Sequence, residues 1–212
     1  MAASNGLREL KRERTRRLIA ESAARLFAEH GYERVAVSDV AREAEVSEQT
    51  VYNYFATKEQ LVTDRDQHVQ DRLRDLISSR PPDVTPAAAI RDFALESVAR
   101  IRRIPAENWR GELGYLAAIS PTVRRLTLEM IDRQAVTVAD AIRETTDVSP
   151  EVATLQGIAL ASVFRIIIGE AGRRTVEGQS QTKITRELYQ TVAKLLDELD
   201  RWFTLSQQPK RR

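Results

Sequence analysis

From about residue 13 to residue 203, apolar side chains recur three and four positions apart, and no stretch alternates Val, Ile or Thr in the manner of a strand. This period constrains the fold more than any other feature: the chain reads as all-α. The first helix is expected over about Glu13–Glu29, with Ile19, Ala23, Leu26 and Phe27 on one face and Gly31 as its stop. A short second helix follows Ser38 as N-cap, and Ser47 caps a third over Glu48–Phe55, where Val51 and Phe55 face inward together. Thr57 and Gln60 fit a capping box, which opens a long fourth helix striped by Leu61, Val69, Leu73 and Leu76. "RPPDVTP" at 80–86 is the clearest linker.

Beyond the linker the period resumes. Ile90 to Ile101 form one helix, ended by Pro105, and Trp109–Ile119 a shorter one broken by glycine. Three long helices are then expected: one from Pro121 to about Ile142, one from Ser149-Pro150 to about Gly169, and one over Thr182–Phe203. "IALASVFRIII" in the second of these is apolar almost all round, so it should be covered on more than one side. The tail "QQPKRR", 207–212, reads as disordered and basic.

Composition narrows the chemistry. The 212 residues include 42% hydrophobic and 30% charged residues, ample for a core and a wet surface. There is no cysteine, and His30 and His68 stand far apart, so neither a disulfide nor a metal site is expected. No apolar run of about 20 residues is read as a membrane span. No apolar stretch follows the basic N-terminus, so no signal peptide is expected either. The expectation is a cytoplasmic protein with no membrane partner and no cofactor. No nucleophile–base pair, glycine-rich phosphate loop or metal cluster makes a case for an enzyme.

Net charge is only +2, but its distribution is uneven. "RELKRERTRR", 8–17, carries six cations against two glutamates, a local +4. The run is either a solvated helix start or an arm lying along phosphates through Arg14, Arg16 and Arg17; charge alone does not choose. The stretch "VSEQTVYNYFATKEQL", 46–61, is more telling. Val46, Val51 and Phe55 supply an inward face. The outward face holds Glu48, Gln49, Thr50, Asn53 and Tyr54, types that hydrogen-bond to base edges and phosphates. Hydroxyls of Thr50, Tyr52 and Tyr54 suit phosphate oxygens. Lys58 is placed in the first turn of the next helix, against the macrodipole, where an external anion would offset it.

"RTRRLIAESAARLFAEHGYERVAVSDVAREAEVSEQTVYNYFATKEQL" closely resembles the DNA-binding domain of the TetR family of bacterial transcriptional regulators. The match runs in order through "A..LF...GY", "V.DVA..A.VS" and "T.Y.YF..KE.L". The resemblance implies a helix-turn-helix DNA-binding domain over 1–57, the motif itself at about 37–56. A helical effector-binding and dimerisation domain would follow over 58–206. It implies that Glu48, Gln49 and Asn53 face bases and that Ser38, Ser47, Thr50, Tyr52, Tyr54 and Lys58 hold phosphates. Glu45 stands where relatives commonly carry glycine in the turn, so a strained or reshaped turn is expected there.

The resemblance also implies a homodimer built on the last two helices. Leu160, Phe164, Ile167, Ile168, Leu188, Val192, Leu195, Leu199 and Trp202 are the expected interface. A mostly apolar effector pocket is expected among His68, Phe93, Ser97, Arg100, Trp109, Tyr115, Met130, Gln134 and Phe164. The leading expectation is a dimeric repressor released from a palindromic double-stranded DNA operator by a small molecule. A regulator with no such effector, or an activator, stays open.

Overall fold

The structure, a computed structural model, describes residues 2–105 and 108–206. The expected disordered tail at 207–212 lies outside the described residues. Among the described residues there is no strand. The α-helices are α1 (Ala2–His30), α2 (Val37–Glu43), α3 (Glu48–Tyr54), α4 (Asp66–Ser78), α5 (Pro86–Ala99), α6 (Leu113–Ile119), α7 (Pro121–Thr145), α8 (Pro150–Val176) and α9 (Gln181–Ser206). Short 3-10 turns stand at Tyr32–Arg34, Glu59–Leu61, Arg100–Arg103 and Trp109–Gly111. The chain divides into two compact units, Met1–Asp64 with Pro105–Leu126, and Arg65–Ile104 with Thr127–Arg212.

The first unit is built on the stripe Ile19, Ala23 and Phe27 of α1, which buries Val40 of α2 and both Val51 and Phe55 at α3. Leu116 and Val123 join the same core. The sequence reading assigned that 105–126 segment to the second domain. It lies here because Gly111 admits a close approach: a Cβ on Gly111 would stand 2.8 Å from the Ala24 carbonyl oxygen on α1. Ser120 Oγ then donates to Glu33 at 2.6 Å and caps the α7 entry by accepting from the Val123 N–H at 3.1 Å.

Two local expectations are corrected. Ser38 does not cap α2; it lies exposed inside the first turn, while Ala36 is the N-cap and the Asp39 carboxylate accepts from the Ala36 N–H at 2.9 Å. The fourth helix starts at Asp66, not Thr57. Gln60 does reach back, but to the Ala56 N–H at 2.7 Å across a 3-10 turn, so it closes a loop rather than opening a helix.

The second unit packs α5 against α9 and α8 around Ile90, Ala94, Leu160, Ile184, Leu188 and Val192, all fully buried. Its α5 starts as the sequence dictates: Thr85 accepts from the Ala88 N–H at 3.1 Å, and Pro86 takes the first helical position. Polar ties link α5 to α9, with Thr85 bound to Asp200 and Arg91 to Asp197 at 2.6 Å. At the start of α4 the buried Asp66 accepts from Arg133 at 2.9 Å and Gln134 at 3.0 Å.

Helix α8 runs on past the expected Gly169 to Val176. By length and composition it is apolar enough to cross a membrane, a property shared by core helices, and much of it is buried within its own unit. Burial also removes five residues from the expected interface. Leu160, Phe164, Ile167, Leu188 and Val192 are core residues of this unit, and Ile168, Leu195, Leu199 and Trp202 are half-buried. The face of α8 left in solvent is a different one. It runs through Leu155 (54% exposed), Ile158 (49% exposed), Ser162, Ile166 and Gly169 at successive three- and four-residue steps.

Candidate nucleic-acid interface

The turn between α2 and α3 sets how the third helix is presented. The Val46 N–H bonds the Ala41 carbonyl at 2.9 Å and the Glu45 N–H bonds the Arg42 carbonyl at 3.2 Å. This paired closure puts the residue after the C-cap in the left-handed region. That residue is Glu45, with φ +52°, the non-glycine positive φ among the described residues. The strain expected from the sequence is therefore present. Left-handed backbone costs an L-residue roughly 1–2 kcal/mol, partly offset in glycine by its freer unfolded chain. Glu45→Gly is expected to stabilise the protein by about 0.5–1 kcal/mol, read as a higher urea midpoint at unchanged slope. An unchanged or lower midpoint would mean the turn is relaxed.

Helix α3 begins where Ser47 accepts from the Thr50 N–H at 3.0 Å, and the two hydroxyls share a further 2.8 Å bond. Val51 turns inward, which leaves Glu48, Gln49, Tyr52 and Asn53 outward; Tyr52 is 46% exposed. Gln49 Nε2 donates to Asn53 Oδ1 at 3.2 Å, one turn along the same face. The three expected base-facing residues thus share one solvent face of one helix. Each amide keeps further donor and acceptor capacity, which suits the two-point edge of adenine.

The expected phosphate-holding residues do not form one class. Ser38, Ser47, Arg14 and Arg17 are exposed, with Arg17 at 3.9 Å from Glu21. Thr50 is half-buried and engaged with Ser47. Tyr54 is half-buried against the core. Lys58 lies over the Tyr32 ring, 4.3 Å from its centroid, and 5.9 Å from that of Phe27. Burial lowers its ammonium pKa against the opposing pull of Glu33 and Glu59. A desolvated cation held on an aromatic platform is primed for an oxyanion. Below it, burial and the same two glutamates push the Tyr32 phenol up to about 12, so the ring stays neutral.

Arg16 departs most from expectation. It is not an outward arm residue: its guanidinium lies 4.6 Å from the Phe55 ring centroid, donates to the Tyr54 carbonyl at 2.9 Å and pairs with Asp64. It stands on the row of Ile19, Ala23 and Phe27, which faces the core. The sequence signal was that row, three residues before Ile19, masked by neighbouring arginines. Asp64 itself carried no signal. The expected effector residues fall in both units. Trp109 and Tyr115 belong to the first unit, and the others to the second, where His68 and Arg100 are exposed and Ser97 donates to the Phe93 carbonyl at 2.8 Å. Phe93 and Phe164 do meet, at 5.6 Å between centroids, and Met130 and Gln134 are buried. An open groove of about 510 Å³ lies instead in the first unit, lined by residues including Leu26, His30, Arg34 and Arg42.

Comparison with known proteins bears on this surface directly. Residues 19–64 match the family model of the bacterial regulatory proteins, tetR family. Over 164 residues the chain is 23% identical to the HTH-type transcriptional regulator TcmR of Streptomyces glaucescens, which covers 76% of this chain and 68% of that protein. Among solved structures, the fold is similar to that of SmeT in its triclosan complex, with a TM-score of 0.58 at 14% identity over 86% of this chain and 89% of that one. It is also similar to the TetR family repressor AlkX from Dietzia sp. strain DQ12-45-1b, with a TM-score of 0.52 at 20% identity over 90% and 98%. The helix-turn-helix formed by α2 and α3 lies inside the matched residues, so residues 19–64 carry the likeness to the bacterial regulatory proteins of the tetR family.

Proposed function

We propose that the protein is a homodimeric repressor that reads a palindromic operator through α3 and leaves it when a small, mostly apolar effector binds. The observation that carries the reading is the outward face of α3, where Glu48, Gln49 and Asn53 are all exposed and Gln49 bonds Asn53. In this reading Glu48, Gln49 and Asn53 contact bases, while Ser38, Ser47, Thr50, Tyr52, Tyr54, Lys58, Arg14 and Arg17 lie along phosphates. The first unit reads DNA; the second carries effector binding and dimerisation. AlkX, a family repressor, and SmeT, solved with triclosan, support repression and small-molecule control by likeness. An effector acts by binding the DNA-competent and DNA-incompetent states unequally.

A second reading has an observation in its favour. The groove of about 510 Å³ is lined by residues such as Leu26, His30, Arg34 and Arg42, none of them among the expected effector residues. This suits a regulator governed by its abundance or by a protein partner. A thermal-shift screen with apolar aromatic compounds separates the two: a shared hit that also releases DNA supports effector control.

Selection of bound sequences from random duplex DNA tests the central claim, and a palindromic consensus is the expected result. On that consensus Asn53→Ala is expected to lose about 1–3 kcal/mol of discrimination while keeping most of its affinity for scrambled DNA. Tyr52→Phe and Lys58→Ala should weaken both duplexes alike, because phosphate contacts are blind to sequence. Equal losses on both duplexes for Asn53→Ala would remove it from the base-reading set.

A further inference from the structure

Arg16 makes three contacts that converge on one place, the C-terminal end of the recognition helix. Its Nη1 donates to the carbonyl of Tyr54, the last residue of α3. Its plane lies on the ring of Phe55, the C-cap. Its Nη2 pairs with Asp64, the final residue of the first unit's opening segment. A helix C-terminus carries unsatisfied carbonyls and partial negative charge, so a cation fixed there both caps and orients the helix. Helix α3 has only seven residues, and its outward face carries the expected base-reading residues. With so short a helix, its lean is set by its two ends. Ser47 fixes the first, and Arg16 fixes the second.

We propose that Arg16, held in turn by Asp64, is a positioning residue for DNA reading: it sets the lean of α3, so that discrimination among sequences depends on it more than general affinity does. This rests on the DNA-reading function proposed above. The side chain is half-buried and both Nη nitrogens are engaged within the unit. It is therefore poorly placed to serve as a phosphate contact, although its neighbours Arg14 and Arg17 are exposed. The guanidinium fork matters as much as the charge. It serves two acceptors and a ring at once, which a lysine ammonium does not reproduce.

The test compares wild type with Arg16→Gln, Arg16→Lys, Asp64→Asn and the Arg16→Gln/Asp64→Asn double variant. Each is titrated on the selected consensus and on a scrambled duplex across a salt series. The expected loss for Arg16→Gln is about 2–30-fold on the consensus, the range of couplings carried by residues outside direct contact. The scrambled duplex should change little, and the log–log salt slope should hold. Arg16→Lys should recover only part of the loss. Asp64→Asn should move the same way, and the double variant should be no worse than Arg16→Gln alone.

Hydrogen exchange on the DNA-free proteins gives a reading independent of DNA. Amides of 51–55 should exchange faster in Arg16→Gln, with α8 unchanged. Equal losses on both duplexes with the slope flattened by about 0.9, and full recovery by lysine, would make Arg16 a phosphate contact and overturn the proposal. Unchanged discrimination with unchanged exchange would overturn it as well. A wild-type protein that selects no sequence would sink the DNA-reading function, while the exchange result would still decide whether Arg16 holds the helix end.

Discussion

Ile158→Asp is expected to convert a dimer into a folded monomer. Ile158 lies half in solvent on the α8 stripe that runs from Leu155 to Gly169. A recognition helix of seven residues reaches only a few base pairs, and each correct pair adds about 1–3 kcal/mol. Reading an operator therefore calls for two such helices related by a two-fold axis. A self-complementary apolar stripe is the surface such an axis needs. A carboxylate on that stripe leaves a buried charge without a partner in the dimer but sits in water in the monomer. Light scattering at micromolar concentration should show the halved mass. Circular dichroism should show retained helix and a melting point that no longer varies with concentration. Ile167→Asp makes the control. Ile167 is buried within the chain, so the charge should destabilise the fold itself by about 3–5 kcal/mol. A monomeric wild type, or an Ile158→Asp protein that stays dimeric, would remove α8 from the interface.

Gly157 and Gly169, both on α8, should respond to alanine with opposite signs. A Cβ at Gly157 would stand 2.5 Å from the Ala135 carbonyl oxygen and 2.9 Å from the Ala139 nitrogen. Both are backbone atoms of α7, so the helices must separate to make room. Alanine's helix propensity returns roughly 1 kcal/mol. Overpacking costs about 1–3 kcal/mol and more when backbone must move. The net expectation is a loss of about 2 kcal/mol, and more for Gly157→Val. At Gly169 a Cβ meets nothing within 4 Å in the chain, so alanine should stabilise the helix by up to about 1 kcal/mol. That gain should be clear in the Ile158→Asp background. If it shrinks or reverses in the wild-type background, a second copy approaches closely at Gly169. Urea unfolding at matched slopes reads all of these; a Gly157→Ala protein as stable as wild type would mean α7 and α8 tolerate a wider spacing.

The local grammar of the reading head was open to inspection in the sequence. Ser47 before a polar-then-apolar run announces a capped helix, Gly31 announces a stop, and the family resemblance, with glycine common at the position of Glu45, implies the left-handed backbone found there. These signals are short-range, acting within one helical turn. What was hidden depends on long-range packing. The stripe of 105–126 fits any core, and only the approach of Gly111 to Ala24 decides which one it joins. A helix apolar all round cannot declare which side its own chain covers, so its sequence does not separate Leu160 and Phe164, which are core, from Leu155 and Ile158, which are exposed. The start of α4 was missed because a 3-10 turn at Glu59–Leu61 uses the same backward-reaching side chain as a helix entry. Arg16 was read with its charged neighbours, although its position on the Ile19–Phe27 row placed it with the core.

The bond from Gln49 to Asn53 bears on how such a regulator changes its target over time. Each amide is the other's neighbour, so replacing one alters the rotamer and the hydrogen-bonding duties of the other. Substitutions at 49 and 53 should then be non-additive in their effect on operator choice. A new operator is reached more readily by paired exchanges at these two positions than by either step alone. A library randomised at both together should therefore yield specificities that no pair of single-site libraries predicts.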